Sequence, residues 1–184
     1  MDSGSDSDAV GQFLARPAGD VSQVVRRYEA HSFSGFPPGF HRGLPSRALT
    51  FRFSLGEPSE IVSMPDRTQP PGSFFGFVGG LHSRPAMVAH SGSGRGLGID
   101  VSPLASRQLF GVPAGALASV VVDVADVLGS SLTHELHDRL HAATTWPERF
   151  GVLDEVLARV LSTREQRRVP AEVGEAWRWI VASR

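Results

Sequence analysis

An α+β fold is what this sequence predicts: a small antiparallel β-barrel or sandwich followed by a C-terminal helical segment. Three observations carry that reading. Residues 1–115 hold 17 of the 20 glycines and 11 of the 13 prolines, a density of punctuation that helices cannot run through but short hairpin-linked strands can. In the same region apolar residues recur at every second position, the period of a strand with one buried face. Beyond residue 115 the period changes to 3.6, the signature of amphipathic helices.

Taken in order, residues 1–20 begin with MDSGSDSDAVGQ, acidic and poor in apolar residues, and are expected to be a disordered tail. Val24 to His31 is the first strand, with Arg26, Tyr28 and Ala30 on one face. Phe33 and Phe36 lead into a loop, FPPGFHRGLPSR. Leu49, Phe51, Phe53 and Leu55 then alternate with Thr50, Arg52 and Ser54, which makes the aromatic side core and turns the Arg52 side to water or a cavity. Ile61 to Met64, Phe74 to Val78, Ala86 to His90 and Gly96 to Val101 complete six or seven strands. The run SGSGRGLG reads as a glycine-rich hairpin. It lacks the G-x-x-x-x-G-K-[ST] pattern of a phosphate loop and leads into a strand instead of a helix.

Ser102 and Pro103 then suit the N-cap and first position of a short helix, which Gly111 and Pro113 end. Asp123 caps a brief helix closing at Gly129. Leu132, Leu136 and Leu140 form the stripe of the next. Thr145 and Glu148 make a T-x-x-E capping box for a third, with Phe150, Leu153, Leu157, Val160 and Leu161 on its apolar face. After the basic stretch Arg164 to Arg168 and Pro170, a last helix places Val173, Ala176, Trp177 and Ile180 on one side and Trp179 on another.

The composition excludes several chemistries. There is no cysteine, so disulfides, thiolate zinc sites and cysteine nucleophiles are ruled out. No apolar run approaches the ~20 residues that span a bilayer, and the acidic N-terminus is unlike a signal peptide; a cytoplasmic protein without membrane contact is expected. All 18 basic residues are arginine. Residues 21–115 hold nine arginines against five carboxylates, a mild positive balance that would favour an anionic effector. No G-x-S-x-G nucleophile elbow and no catalytic carboxylate pair occurs. None of the seven histidines makes a closely spaced His-x-His metal pair. His134, His137 and His141 lie along one helix face near Asp138, a spacing that can hold zinc, but the neighbouring leucine stripe makes them ordinary surface. No metal, no cofactor and no enzymatic activity is expected.

The best remaining site candidate is the polar loop holding His41, Arg42, Ser46 and Arg47, because arginine offers a fixed fork of donors and histidine can donate or accept. With Tyr28, Arg52 and His82 it gives the expected ligand-binding set.

Several stretches together resemble a known family. IDVSPLASRQLFGVPAGALASVVVDVADVLG (Ile99 to Gly129), FPPGFHRGLPSRALTF upstream, and AATTWPERFGVLDEVL and PAEVGEAWRWIVAS downstream are similar, in order and spacing, to the N-terminal half of a subgroup of AraC/XylS-type transcriptional regulators. The similarity runs over roughly residues 20–183. It implies a cupin-like sensing domain at 21–115, a helical dimerisation and relay segment at 116–163, and at 164–184 a basic linker with the first helix of a helix-turn-helix DNA-binding half that is missing here. It also implies an unidentified small-molecule effector, a homodimer formed through Leu132, Leu136, Leu140, Leu153 and Leu157, and no specific DNA binding by this chain alone. The competing classes are a small cupin-like enzyme and a ligand-free interaction domain.

Overall fold

In the computed structural model, which describes residues 11–164 and 169–182, the strands form two antiparallel sheets. The larger has the order β1-β2-β9-β4-β7-β10 and the smaller β3-β8-β5-β6, with β1 Gly11–Ala15, β2 Val25–Phe33, β3 Gly39–Gly43, β4 Leu49–Ser54, β5 Ser59–Ser63, β6 Gly72–Phe74, β7 Gly76–Gly80, β8 Ala86–His90, β9 Gly94–Val101 and β10 Val121–Asp123. The helices are α1 Ser106–Phe110, α2 Val124–Leu128, α3 Ser130–Ala142, α4 Trp146–Thr163 and α5 Ala171–Ala182. The α+β class and the C-terminal helices are as expected. A closed barrel is not formed, because the two sheets share no strand pairing.

Period-two patterning sets the centre of the larger sheet. On β4, Leu49, Phe51 and Phe53 are buried, and on β9 so are Leu97, Ile99 and Val101. The two strands pair with Phe51 opposite Ile99, so their apolar sides form one surface. α1 to α4 cover it: Leu109, Phe110, Val124, Leu136, Leu140, Phe150, Leu153 and Leu157 join the strand residues in a single core. Each such side chain, fully buried, contributes roughly 1.5–3 kcal/mol. The opposite side of the same sheet faces the smaller sheet.

The helix ends follow the expected chemistry in most places. Asp123 accepts from the Ala125 N–H, and Thr145 with Glu148 forms a complete capping box. Gly111 closes α1 in the left-handed region at φ 75°. Ser102 is the exception, making no side-chain cap bond; its own N–H donates to Val24 O at 2.9 Å, tying the end of β9 to the start of β2. α3 and α4 run antiparallel, Glu135 pairing with Arg159 and Arg139 with Glu155.

Other expectations are corrected. The tail expected over 1–20 is structured from Gly11: β1 pairs with β2, and Phe13 packs 5.6 Å from the Trp146 ring. Residues 1–10 lie outside the described residues. The loop FPPGFHRGLPSR contains β3, an edge strand that buries none of its side chains and so shows no alternation. The stretch Phe74 to Val78 is two strands in different sheets, parted at Phe75. SGSGRGLG is no hairpin, since β8 and β9 belong to different sheets, and it carries the chain across. β10 shows that the sheet region does not end at residue 115; it adds to β7 at the edge.

The leucines expected at a dimer contact are core residues of the single chain. Leu136, Leu140 and Leu153 are 0 % exposed and Leu157 is 1 % exposed, and Leu132 is half-buried against the same core. The antiparallel pairing of α3 and α4 over the sheet satisfies their apolar faces. α5 buries no residue; Val173, Trp179 and Ile180 are exposed, and Arg47 Nη1 donates to Val181 O at 2.7 Å. Of the basic stretch before α5, residues 165–168 lie outside the described residues. No helix among the described residues is long and apolar enough to cross a membrane.

Candidate functional site

The two sheets face each other across an open cleft of about 1630 Å³. Its floor is built by glycines. Gly94, Gly96 and Gly98 take every second place on β9, opposite in parity to the buried Leu97 and Ile99, so this strand presents a bare strip to the cleft. A side chain from a flanking strand lies over each one. A Cβ on Gly94 would fall 2.6 Å from the Phe33 ring, one on Gly96 3.1 Å from the His31 ring, and one on Gly98 1.9 Å from Arg52 Nη1. The strand register explains the arrangement: Phe33 stands opposite Gly94 and His31 opposite Gly96 on β2, and Arg52 opposite Gly98 on β4.

The smaller sheet brings two more imidazoles. His41 on β3 and His90 on β8 stack with ring centroids 6.1 Å apart. His90 also meets the Phe33 ring edge-on at 5.7 Å, and Phe33 stacks on His31 at 6.2 Å. His31, His41, His90 and Arg52 thus form one cluster spanning both sheets. Glu29 is the counter-charge beside this cluster, 3.8 Å from Arg52, and it also accepts from Gln12 at 2.6 Å. Arg27, by contrast, is paired with Asp100 at 2.9 Å.

Burial, with the charges of Arg52 and His41, pushes the His31 pKa down against the opposing pull of Glu29; burial, with His90 and Arg52, pushes His41 down. Both rings are therefore neutral at pH 7, each able to donate once and accept once. The buried Nδ1 of His90 has no hydrogen-bond partner among the described residues, a cost unless something else satisfies it. No group of three or more His, Asp or Glu among the described residues is arranged to hold a metal ion. On α3, His137 and His141 stack at 4.1 Å, with His141 Nδ1 2.8 Å from His137 O.

The expected ligand residues separate into three groups. His41, Arg52 and His82 line the cleft, and His82 carries a second buried Nδ1 without a partner among the described residues. Its pKa is pushed down by burial. Arg42 follows His41 on β3; it is exposed and lines the cleft as well. Arg47 and Tyr28 are elsewhere. Arg47 holds α5, as described above, and Tyr28 is 0 % exposed in the core, its hydroxyl donating to Asp154 at 2.7 Å. His31, His90 and Phe33 belong to the site but were not among the expected residues; the alternating glycines of Gly94 to Gly98, over which Phe33 and His31 lie, were the signal for those two. The chain matches no family model, no curated protein and no solved structure.

Proposed function

We propose that this chain is the effector-sensing and dimerising half of an AraC/XylS-like transcriptional regulator, which binds a small molecule in the cleft without turning it over. The observation that carries the reading is the shared sheet: Arg52 points into the cleft, while its neighbours Phe51 and Phe53 pack under the helices. A ligand that shifts β4 or β9 therefore acts on the residues beneath α1 to α4, through one layer of backbone. A relay needs such a contiguous two-sided element and a ligand that binds its two arrangements unequally. The openness of the cleft favours this over a ligand-free interaction domain, for which a space packed shut by its phenylalanines would be expected. The burial of the α3 and α4 leucines moves any homodimer contact to other surfaces.

Thermal unfolding of the purified chain against a metabolite panel, with solution mass measured alongside, tests the proposal. A compound that raises the midpoint, is recovered unchanged and binds a dimer is the expected result. Consumption of the compound would overturn the sensor reading in favour of an enzyme, and a monomer at all concentrations would remove the dimerisation half of it. The chain alone is expected to show no sequence-specific DNA binding in a gel-shift assay.

A further inference from the structure

The sensor reading leaves the ligand's chemistry open, and the cleft narrows it. On that reading, we infer that the effector is an organic anion with a flat apolar body, whose carboxylate sits between Arg52 on the larger sheet and His41 and His90 on the smaller one.

Three observations converge. First, Arg52 donates no hydrogen bond among the described residues and has only the 3.8 Å contact to Glu29, a separation too long for the paired N–H···O bonds that a guanidinium makes with a carboxylate. Its fork of donors is held over Gly98, where no side chain competes for the space. Second, His90 Nδ1 is buried without a partner among the described residues, and a carboxylate oxygen would accept from it. Third, Phe33 stacks on His31 at 6.2 Å and meets His90 edge-on at 5.7 Å, giving an aromatic wall beside the charge against which a flat apolar body can lie. Few convergent polar groups set against aromatic walls are the usual make-up of a small-molecule site.

A cation fits poorly. The cluster holds a fixed positive charge and three imidazoles against one carboxylate, Glu29, which already accepts from Gln12. A neutral polar ligand would satisfy the imidazoles but leave the Arg52 charge as it is. An anion serves both.

The test compares 3-phenylpropionate with its amide, 3-phenylpropionamide, by isothermal titration calorimetry on the full chain. The two share shape and differ in charge. Tighter binding of the acid by about tenfold or more is expected, because charge-assisted hydrogen bonds are the stronger kind. Arg52→Met should reduce acid affinity by roughly 10- to 100-fold and leave amide affinity unchanged. Gly98→Ala is the second variant: it keeps the arginine but displaces its guanidinium, and should have the same sign if the position of the charge matters. Equal binding of acid and amide, no binding of the acid, or an acid affinity untouched by both variants would overturn the inference. The sensor reading stands or falls separately, on whether any compound of the wider panel binds without being consumed.

Discussion

Tyr28→Phe removes one oxygen atom and isolates one bond. The Tyr28 hydroxyl donates to Asp154 Oδ1 at 2.7 Å, linking β2 to α4, and the same oxygen accepts from Ala18 N at 3.0 Å. The ring stays: it stacks on Phe150 with centroids 5.7 Å apart and an interplanar angle of 12°, and phenylalanine keeps that contact. The loss is then one hydrogen bond to a charged group, about 1.5–3 kcal/mol. For a domain of this size a change of 1 kcal/mol moves the midpoint by roughly 2–4 °C, so Tm should fall by roughly 3–12 °C.

Tyr28 is the single tyrosine of the chain, which gives a second readout. Burial, then the hydrogen bond to Asp154 and its negative charge, push the phenol pKa far up. The unfolded chain ionises near pH 10. The stabilisation is thus complete below pH 10 and is lost as pH rises above it, and phenolate absorption should appear only with loss of native circular dichroism. A Tm unchanged within about 1 °C in Tyr28→Phe, or a phenol titrating near pH 10 in the folded protein, would refute the assignment of Tyr28 to the core.

Arg149→Met should cost about 3 kcal/mol, seen as a lower urea midpoint, because the buried guanidinium bonds the carbonyls of Leu140 at 3.1 Å, Ala143 at 2.6 Å and Thr144 at 3.4 Å at the end of α3 and these acceptors would lose their donor. Glu148 accepts from the backbone N–H groups of Thr145 and Thr144, which hold its pKa down to about 2; its contribution is present above the ordinary carboxyl pKa and lost as pH falls towards 2, so Glu148→Gln should flatten the acid limb of a Tm-against-pH curve. Two glycines separate fold from site. At Gly92, with φ 101°, a Cβ would fall 1.9 Å from the Phe36 carbonyl oxygen, whereas at Gly98 it meets the mobile end of Arg52; Gly92→Ala should therefore lower stability on the order of 3 kcal/mol, and Gly98→Ala by less than about 1 kcal/mol in thermal melts. Leu153→Ala should cost about 2–5 kcal/mol by opening a core cavity, with a Tm loss independent of protein concentration, since that leucine is buried within one chain.

What could be read from the sequence depended on whether burial leaves a pattern. β4 and β9 were legible because large apolar residues alternate with small or polar ones, and α2 and α4 because Asp123 and the Thr145–Glu148 pair mark their starts. β1 and β3 were not, since each lies at a sheet edge and buries none of its side chains fully. The break at Phe75 was hidden because β6 and β7 together look like one apolar run. On β2 the alternation was visible but its sense was not: Arg27, Glu29 and His31 face the cleft, while Tyr28 faces the helices. Only the neighbouring strand fixes that choice, through the register that sets His31 opposite Gly96. Arg52 was placed correctly for the converse reason, as its flanking phenylalanines left it no other side.

Magnitudes also constrain how occupancy of the cleft could reach a partner. An allosteric coupling is typically 1–3 kcal/mol, whereas withdrawing a single leucine such as Leu140 or Leu157 from the core would cost about 2–5 kcal/mol. A ligand of ordinary coupling strength therefore cannot drive α3 and α4 apart from the sheet; their packing must be carried along intact. The elements free to respond are those held by little burial. β1 leaves Leu14 61 % exposed and is tied inward by Phe13 on Trp146, a ring that also lies 5.1 Å from the Arg95 guanidinium on β9. α5 buries no residue and is bonded by Arg47 from the segment just before β4. Both lie one strand from the glycine strip of the cleft, β1 through β2 and α5 through β4. On the reading proposed above, a change at His31 or Arg52 has its least costly outlets there.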